Sequence, residues 1–245
     1  MKTQACPLIF ATLLIFSSCK KDDAVTKPVK FTSTTYTSLG THDDSGKPNY
    51  LVTKDEITPS LSSYVSTTLP ERTDLRTSNP ELLTTRAIAD ITITQASDVF
   101  VTFVSQGAGN ANTIAFYTYP TANPPKSPKD IQTITYIFPN AGYRTTLSPG
   151  DKVKIGRFNV GTSIGFVLLQ DGWDFTTKKV KNDVVHFCSN DVLNPEVDPN
   201  LKKHAVLINY PAESKVLVGF EDVDRTTKDC DHDFNDVVIY TTVRP

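Results

Sequence analysis

At 245 residues the chain can hold one substantial domain with appendages, or two small ones. Lys and Arg number 25 against 27 Asp and Glu, a formal charge of −2, which leaves no basic footprint for nucleic acid. Sixteen prolines (Pro 16), abundant Thr and Ser and few long helix-type periodicities lean toward β structure, and no later run approaches the roughly 20 apolar residues of a membrane span.

The N-terminus reads as a targeting segment. Lys2 precedes an apolar stretch, Pro7–Phe16, which ends in Ser17-Ser18-Cys19. Such a stretch followed by small residues has the form of a secretory signal and is too short to span a bilayer. A cysteine directly after the small pair resembles a bacterial lipoprotein signal over residues 1–18, with Cys19 as the lipidated N-terminus and its anchor in the membrane. Phe16 and Ser18 fit the looser Bacteroidota form of that signal. Asp22-Asp23 resembles the tag that sends such lipoproteins to the outer face of the outer membrane. An ordinary cleaved signal with a coincidental cysteine is the competing reading.

Residues 19–40 are read as a tether, polar and poor in apolar side chains. Residues 41–86 form an N-terminal extension. Its turn-rich start, Gly40–Tyr50, places Asp43-Asp44 near Gly46, a solvated turn in preference to a second cation loop. Thr58 can cap a short helix to Leu69, with Pro59 at its first position and Leu61, Tyr64, Val65 and Leu69 at three- and four-residue steps; Pro70 stops it. Asn79–Leu83 starts another brief helical turn.

From Ala87 the period becomes two. Strands are predicted over 88–94, 99–105, 113–119, 131–138, 152–158, 163–170, 184–188, 204–210, 215–221 and 236–243, punctuated by Gly, Pro, Asn and Asp. Val99–Val104 is apolar on both faces, as in a strand covered on two sides. About ten short strands with no long helix between them imply an all-β fold, an antiparallel β-sandwich or jelly roll over residues 87–245, behind a short helical lead-in.

The densest chemistry lies in Gly219–Val238, GFEDVDRTTKDCDHDFNDVV. Its carboxylates are Glu221, Asp222, Asp224, Asp229, Asp231, Asp233 and Asp236, against Arg225 and Lys228. Like charges about 4 Å apart repel by roughly 4 kcal/mol at an effective dielectric near 20. Between two paired strands such a loop frays, protonates or closes around a cation. Oxygens with little nitrogen or thiolate suit calcium. The predicted ligands are Asp231, Asp233 and Asp236 with Glu221 or Asp222; Asn235 either joins them or caps the turn. Asp231-x-Asp233-x-Asn235 mimics the start of an EF-hand, but Asp236 replaces its glycine and Thr242 its final glutamate, so it is not one. A solvated acidic hairpin is the plainer alternative.

Setting aside Cys6 and Cys19, two cysteines remain. In an oxidising envelope Cys188 and Cys230 can form a disulfide closing a long loop, worth roughly 3–4 kcal/mol in the chain-entropy picture. Two free thiols, or a zinc set with His186 and His232, are the alternatives. Trp173 can stack on a sugar ring beside Asp171 and Asp174, or simply be a core or rim aromatic. No nucleophile elbow, HExxH or Ser/His/Asp order appears.

The runs VTFVSQGAGNANTIAFYTYP, ITYIFPN, LSPGDKVKIGRFNVGTSIGFVLLQDGW, KKHAVLINYPAESKVLVGFEDVDR and DFNDVVIY resemble the DUF4114 family, found in bacterial surface proteins including Bacteroidota lipoproteins of the LruC-like kind. The resemblance implies an all-β, calcium-associated module and places its acidic signature on Glu221, Asp222, Asp231, Asp233, Asn235 and Asp236. Cys188, Cys230 and His232 depart from the pattern. The reading that follows is a non-catalytic, Ca2+-binding envelope lipoprotein in surface adhesion or glycan binding, with a glycan or surface protein as partner. A structural role in an envelope complex, with calcium as a fold staple, and a polysaccharide hydrolase are the alternatives.

Overall fold

A computed structural model describes residues 31–84 and 90–245. The predicted signal segment, Cys19 and the start of the predicted strand over 88–94 lie outside the described residues. Among the described residues no helix is long and apolar enough to cross a membrane.

Thirteen strands are described: β1 (Thr35–Ser38), β2 (Ile91–Thr92), β3 (Ser97–Gln106), β4 (Thr113–Pro120), β5 (Thr133–Phe138), β6 (Lys152–Phe158), β7 (Thr162–Leu169), β8 (Trp173–Asp174), β9 (Lys179–Val180), β10 (His186–Cys188), β11 (Ala205–Tyr210), β12 (Lys215–Phe220) and β13 (Val237–Arg244). Two helices, α1 (Pro59–Thr68) and α2 (Leu75–Ser78), precede β2. One sheet runs β1-β5-β4-β7-β10, with β2 also on β7; the other runs β11-β12-β13-β3-β6. Every pairing is antiparallel except β1 with β5.

The two sheets face each other across one core, an all-β sandwich. Alternate residues from both fill it, among them Val99, Val101 and Phe103 of β3, Phe166 and Leu168 of β7, Phe187 of β10 and Phe220 of β12. Each such side chain taken out of water contributes roughly 1.5–3 kcal/mol before chain entropy is counted.

Both outer faces are covered too. The Thr58 hydroxyl accepts the Leu61 N–H at 3.1 Å and donates to Glu213 at 2.6 Å, so the cap that starts α1 also ties it to the β11–β12 turn. Leu61, Val65 and Leu69 then pack on Val104, Val206, Leu217 and Val238 of the five-stranded sheet. That explains the two apolar faces of β3. On the other side Phe31, Ile131 and Leu193 cover Ala115, Tyr117, Val167 and Leu169.

Residues 35–38 correct the expected tether over 19–40. They form β1, an edge strand whose side chains are mostly exposed, which is why its sequence shows no apolar alternation. Backbone pairing from Thr35–Thr133 to Ser38–Tyr136 holds it, and the Tyr36 hydroxyl donates to His186 Nε2 at 2.8 Å. The β8–β9 hairpin was likewise not marked by periodicity, each strand being two residues long.

Candidate metal centre

β12 leads into the acidic loop and β13 leads out of it. Phe220 pairs with Val237, and Asp236 N–H donates to the Phe220 carbonyl at 3.1 Å, so Glu221 and Asp236 flank the mouth of the hairpin. Between them the chain coils tightly. His232 (φ 60) and Phe234 (φ 58) are both left-handed and bracket Asp233. Such conformations cost roughly 1–3 kcal/mol each away from glycine. Phe234 offsets this by complete burial under α1, and the His232 carbonyl accepts Leu75 N–H at 3.0 Å.

The signature glycine before Phe220 has a steric origin. A Cβ on Gly219 would stand 2.4 Å from the Phe234 carbonyl oxygen and 2.6 Å from Leu69 Cδ1. The coiled loop passes directly over this bare backbone position, which sets its height above the sheet.

Coiling brings three carboxylates together. Oxygens of Glu221, Asp233 and Asp236 lie within 4.8 Å of one another. Glu221 and Asp233 are 1% and 2% exposed. Asp233 accepts Arg72 N–H at 2.8 Å and Asn235 N–H at 3.1 Å, and Asp236 accepts Asp222 N–H at 2.7 Å. Glu221 Oε2 is buried with no hydrogen-bond partner.

Burial, reinforced by the charges of Asp231 and Asp233, pushes the Glu221 carboxyl up to about 7. Burial, then Asp222 and Glu221, pushes Asp236 up to about 9. Asp222 and Asp233 also rise, burial outweighing the N–H groups that Asn112 and Asn110 offer to the one and Arg72 and Asn235 to the other. A buried cation stands close by without satisfying the cluster. Arg225 donates to His232 Nδ1 at 3.1 Å and to the Lys203 carbonyl at 3.0 Å, and lies over the Phe234 ring. Burial and that guanidinium push His232 down to about 4, so its imidazole is neutral at pH 7.

The predicted ligands separate into distinct roles. Glu221, Asp233 and Asp236 share one focus. Asp222 is fully buried but turned to the side-chain amide of Asn112, whose own oxygen accepts Asp171 N–H at 3.1 Å. Asp231 is exposed. Asn235 donates to the Leu69 carbonyl at 3.3 Å, tying the end of α1 to the loop. Asn112, Arg225 and the Arg72 backbone support the loop and carried no motif in the sequence. Asn112 approaches it from more than 100 residues away and Arg72 through a main-chain atom, while Arg225 lies within the loop itself and is distinguished only by its burial.

Calcium oxygens stand 2.3–2.6 Å from the ion, so neighbouring ligands are separated by about 3.3–5.2 Å. Three carboxylates within 4.8 Å, one carrying an orphaned buried oxygen, fit that sphere. The set contains no nitrogen or sulfur, so it favours a hard cation over zinc.

The disulfide is not formed: both cysteines are free and buried. Alternation along β10 is the reason. Phe187 faces the core between the sheets, where it stacks on His204 at 3.8 Å, and Cys188 therefore faces the opposite layer. Cys230 lies in the acidic loop, with Sγ 3.1 Å from His232 Nδ1. The Cys2His2 zinc set is absent among the described residues for the same reason, and His186 spends Nδ1–H on the Val184 carbonyl. Trp173 is 1% exposed and meets His42 edge-on at 5.1 Å, so it is a core residue and not an open stacking platform. Asp171, at its side, pairs with Lys181 at 2.9 Å. Asp43 accepts three hydrogen bonds from Ser45 and Lys47 as a local turn.

Comparison with curated proteins and with solved structures gave no match. Residues 158–244 match the family described as "Domain of unknown function (DUF4114)", a stretch from the last residue of β6 to the end of β13 that contains the whole acidic loop. Over that stretch the chain is similar to the DUF4114 family.

Proposed function

We propose that this chain is a cell-envelope lipoprotein whose β-sandwich binds Ca2+ through Glu221, Asp233 and Asp236, and that it acts by contact and assembly, without catalysis. The observation carrying the cation is the fully buried Glu221 carboxylate with an unpartnered oxygen among two other acids. Burying that charge alone costs several kcal/mol, and a divalent ion removes the cost. The non-catalytic reading is supported by where the acids lie. They converge in a buried loop instead of flanking a cleft as paired glycosidase carboxylates do.

Calcium here is a fold staple. Its ligands are too deeply buried to present it broadly to a partner, and they close the hairpin that joins two central strands. At a dissociation constant near 10⁻⁵ M, millimolar calcium adds about 2.7 kcal/mol. For a chain of this size that raises the unfolding midpoint by about 5–10 °C. Thermal unfolding of the full chain with calcium and with chelator tests it, and an unchanged midpoint overturns it. Anchoring through Cys19 is tested by fatty-acid labelling that Cys19→Ser abolishes. Glycan contact remains a second reading, carried by the surface tag after Cys19, and binding on a glycan array supports it over a purely structural role.

A further inference from the structure

The geometry points to a cation ligand outside both the acidic loop and the family-matched stretch: we propose that Glu71, in the link between α1 and α2, coordinates the same ion as Glu221, Asp233 and Asp236, so that the ion clamps the helical lead-in to the sandwich. The inference rests on the cation reading above.

The link is already threaded onto the loop by main-chain contacts. Arg72 N–H donates to Asp233 Oδ2 at 2.8 Å, Leu75 N–H to the His232 carbonyl at 3.0 Å, and the Asn235 amide to the Leu69 carbonyl at 3.3 Å. Arg72 is itself left-handed (φ 53), giving the sharp turn that presents its neighbour. Glu71 therefore arrives beside Asp233, one residue along from the N–H that bonds the Asp233 carboxylate.

Gly107 marks where the oxygens meet. A Cβ there would stand 2.9 Å from Asn235 Oδ1 and 3.0 Å from Glu71 Oε2. Two oxygens from segments more than 160 residues apart thus converge over one bare glycine. Gly107 and Ala108 N–H both donate to the Asp236 carbonyl, at 3.1 and 3.3 Å, which fixes that glycine beside the acidic loop. A side chain at 107 would fill the space. Among the described residues the Glu71 carboxylate has only a weak alternative partner, Arg72 Nε at 3.6 Å on an 84% exposed side chain.

These positions divide the site into a floor and a mouth. Glu221 and Asp233 are its buried floor; Asn235 and Glu71, the latter 61% exposed, meet over Gly107 beyond the three acids that lie within 4.8 Å of one another, and the exposed Glu71 side chain reaches the ion by turning toward Asp233. Calcium takes six to eight oxygens, more than the floor supplies, and its affinity follows the number of charged ligands.

The test is calcium binding by the full chain, measured calorimetrically and by Tb3+ luminescence, for wild type, Glu71→Gln and Glu81→Gln. Glu81 is an exposed acid of the same lead-in and serves as the charge control. The expected result is an affinity about tenfold or more weaker in Glu71→Gln, with Glu81→Gln unchanged. Limited proteolysis gives a second readout: calcium protects the 70–73 link in wild type and not in Glu71→Gln. Equal affinity and protection in wild type and Glu71→Gln overturn the Glu71 assignment while leaving the cation site standing. No binding by wild type overturns both.

Discussion

Asp236 Oδ2 accepts the backbone N–H of Asp222 at 2.7 Å, so the last carboxylate of the acidic loop is bonded to the main chain of its first aspartate across the hairpin mouth. That single contact keeps Asp236 beside Glu221 despite their repulsion. Without a cation, the affordable state of such a pair is a protonated one.

A pH dependence with a definite sign follows. Unfolded, these acids titrate near 4; folded, Glu221 rises to about 7 and Asp236 to about 9, through burial and neighbouring carboxylates. The folded form therefore holds more protons than the unfolded one between those limits. Stability in chelator is in place below about pH 4 and drains away as pH rises toward 9. Calcium substitutes for the protons, so the unfolding midpoint in millimolar calcium falls much less over pH 5–9. Parallel curves with and without calcium are the contrary result.

Asp236→Asn separates charge from shape. Its side-chain carbonyl still accepts the Asp222 amide, and folding no longer has to add a proton at this position. In chelator at neutral pH the variant is more stable than wild type, by about 1–3 kcal/mol or more, the scale of burying an acid that is ionised when unfolded. In calcium it loses the stabilisation that wild type gains. Chemical denaturation under both conditions checks the pair of signs. A variant that is weaker in chelator contradicts the repulsion on which the site rests.

Much of the architecture was legible because it rests on local signals. The ten predicted strands match observed ones within a few residues at each described end, since alternation and turn residues are written into the segments themselves. Thr58, Pro59 and the Leu61–Val65–Leu69 spacing foretold α1 for the same reason. What was hidden depends on the third dimension. Cys188 and Cys230 looked like partners until the side-chain direction of β10 turned one away. Trp173 was open to reading as a platform as well as a core or rim aromatic, because nothing in its own neighbourhood says that the turn carrying His42 and Gly46 packs against it. In the acidic loop the residue types were readable. Which carboxylates converge was not, because left-handed turns at His232 and Phe234 select Asp233 over Asp231.

Free, buried thiols make the fold indifferent to redox state. The expected result is the same unfolding midpoint for the full chain with and without reductant, and reaction of Cys188 and Cys230 with a thiol reagent only after denaturation, since both are free and buried. Cys188→Ala leaves the fold intact at a cost of about 1 kcal/mol, for a small side chain at 0% exposure. A midpoint that drops on reduction is incompatible with this arrangement.

Gly219→Ala probes the link between sheet and loop. The new methyl meets the Phe234 carbonyl, a backbone atom that yields only if the whole coil from Asp231 to Asp236 shifts. The expected cost is about 1–3 kcal/mol of stability, together with weaker calcium binding, because Asp233 moves with Phe234. Both readouts matter. Lost stability with unchanged calcium affinity would mean that the coil does not depend on this close approach.

Trp173 tests the core reading against the stacking-platform alternative. Its backbone N–H donates to the Ala111 carbonyl at 2.8 Å, and its ring lies against His42 and the bare Cα of Gly46, so it pins the 41–49 turn to the sandwich. Removing a fully buried indole leaves a cavity that the turn cannot fill without breaking the Asp43 hydrogen bonds. Trp173→Ala therefore costs about 3–5 kcal/mol in denaturant unfolding, and Trp173→Phe, which keeps an aromatic edge for His42, costs markedly less. A sugar-stacking platform predicts the reverse: full stability in both variants, with loss confined to glycan binding. The two outcomes do not overlap, so one unfolding curve for each variant decides between them.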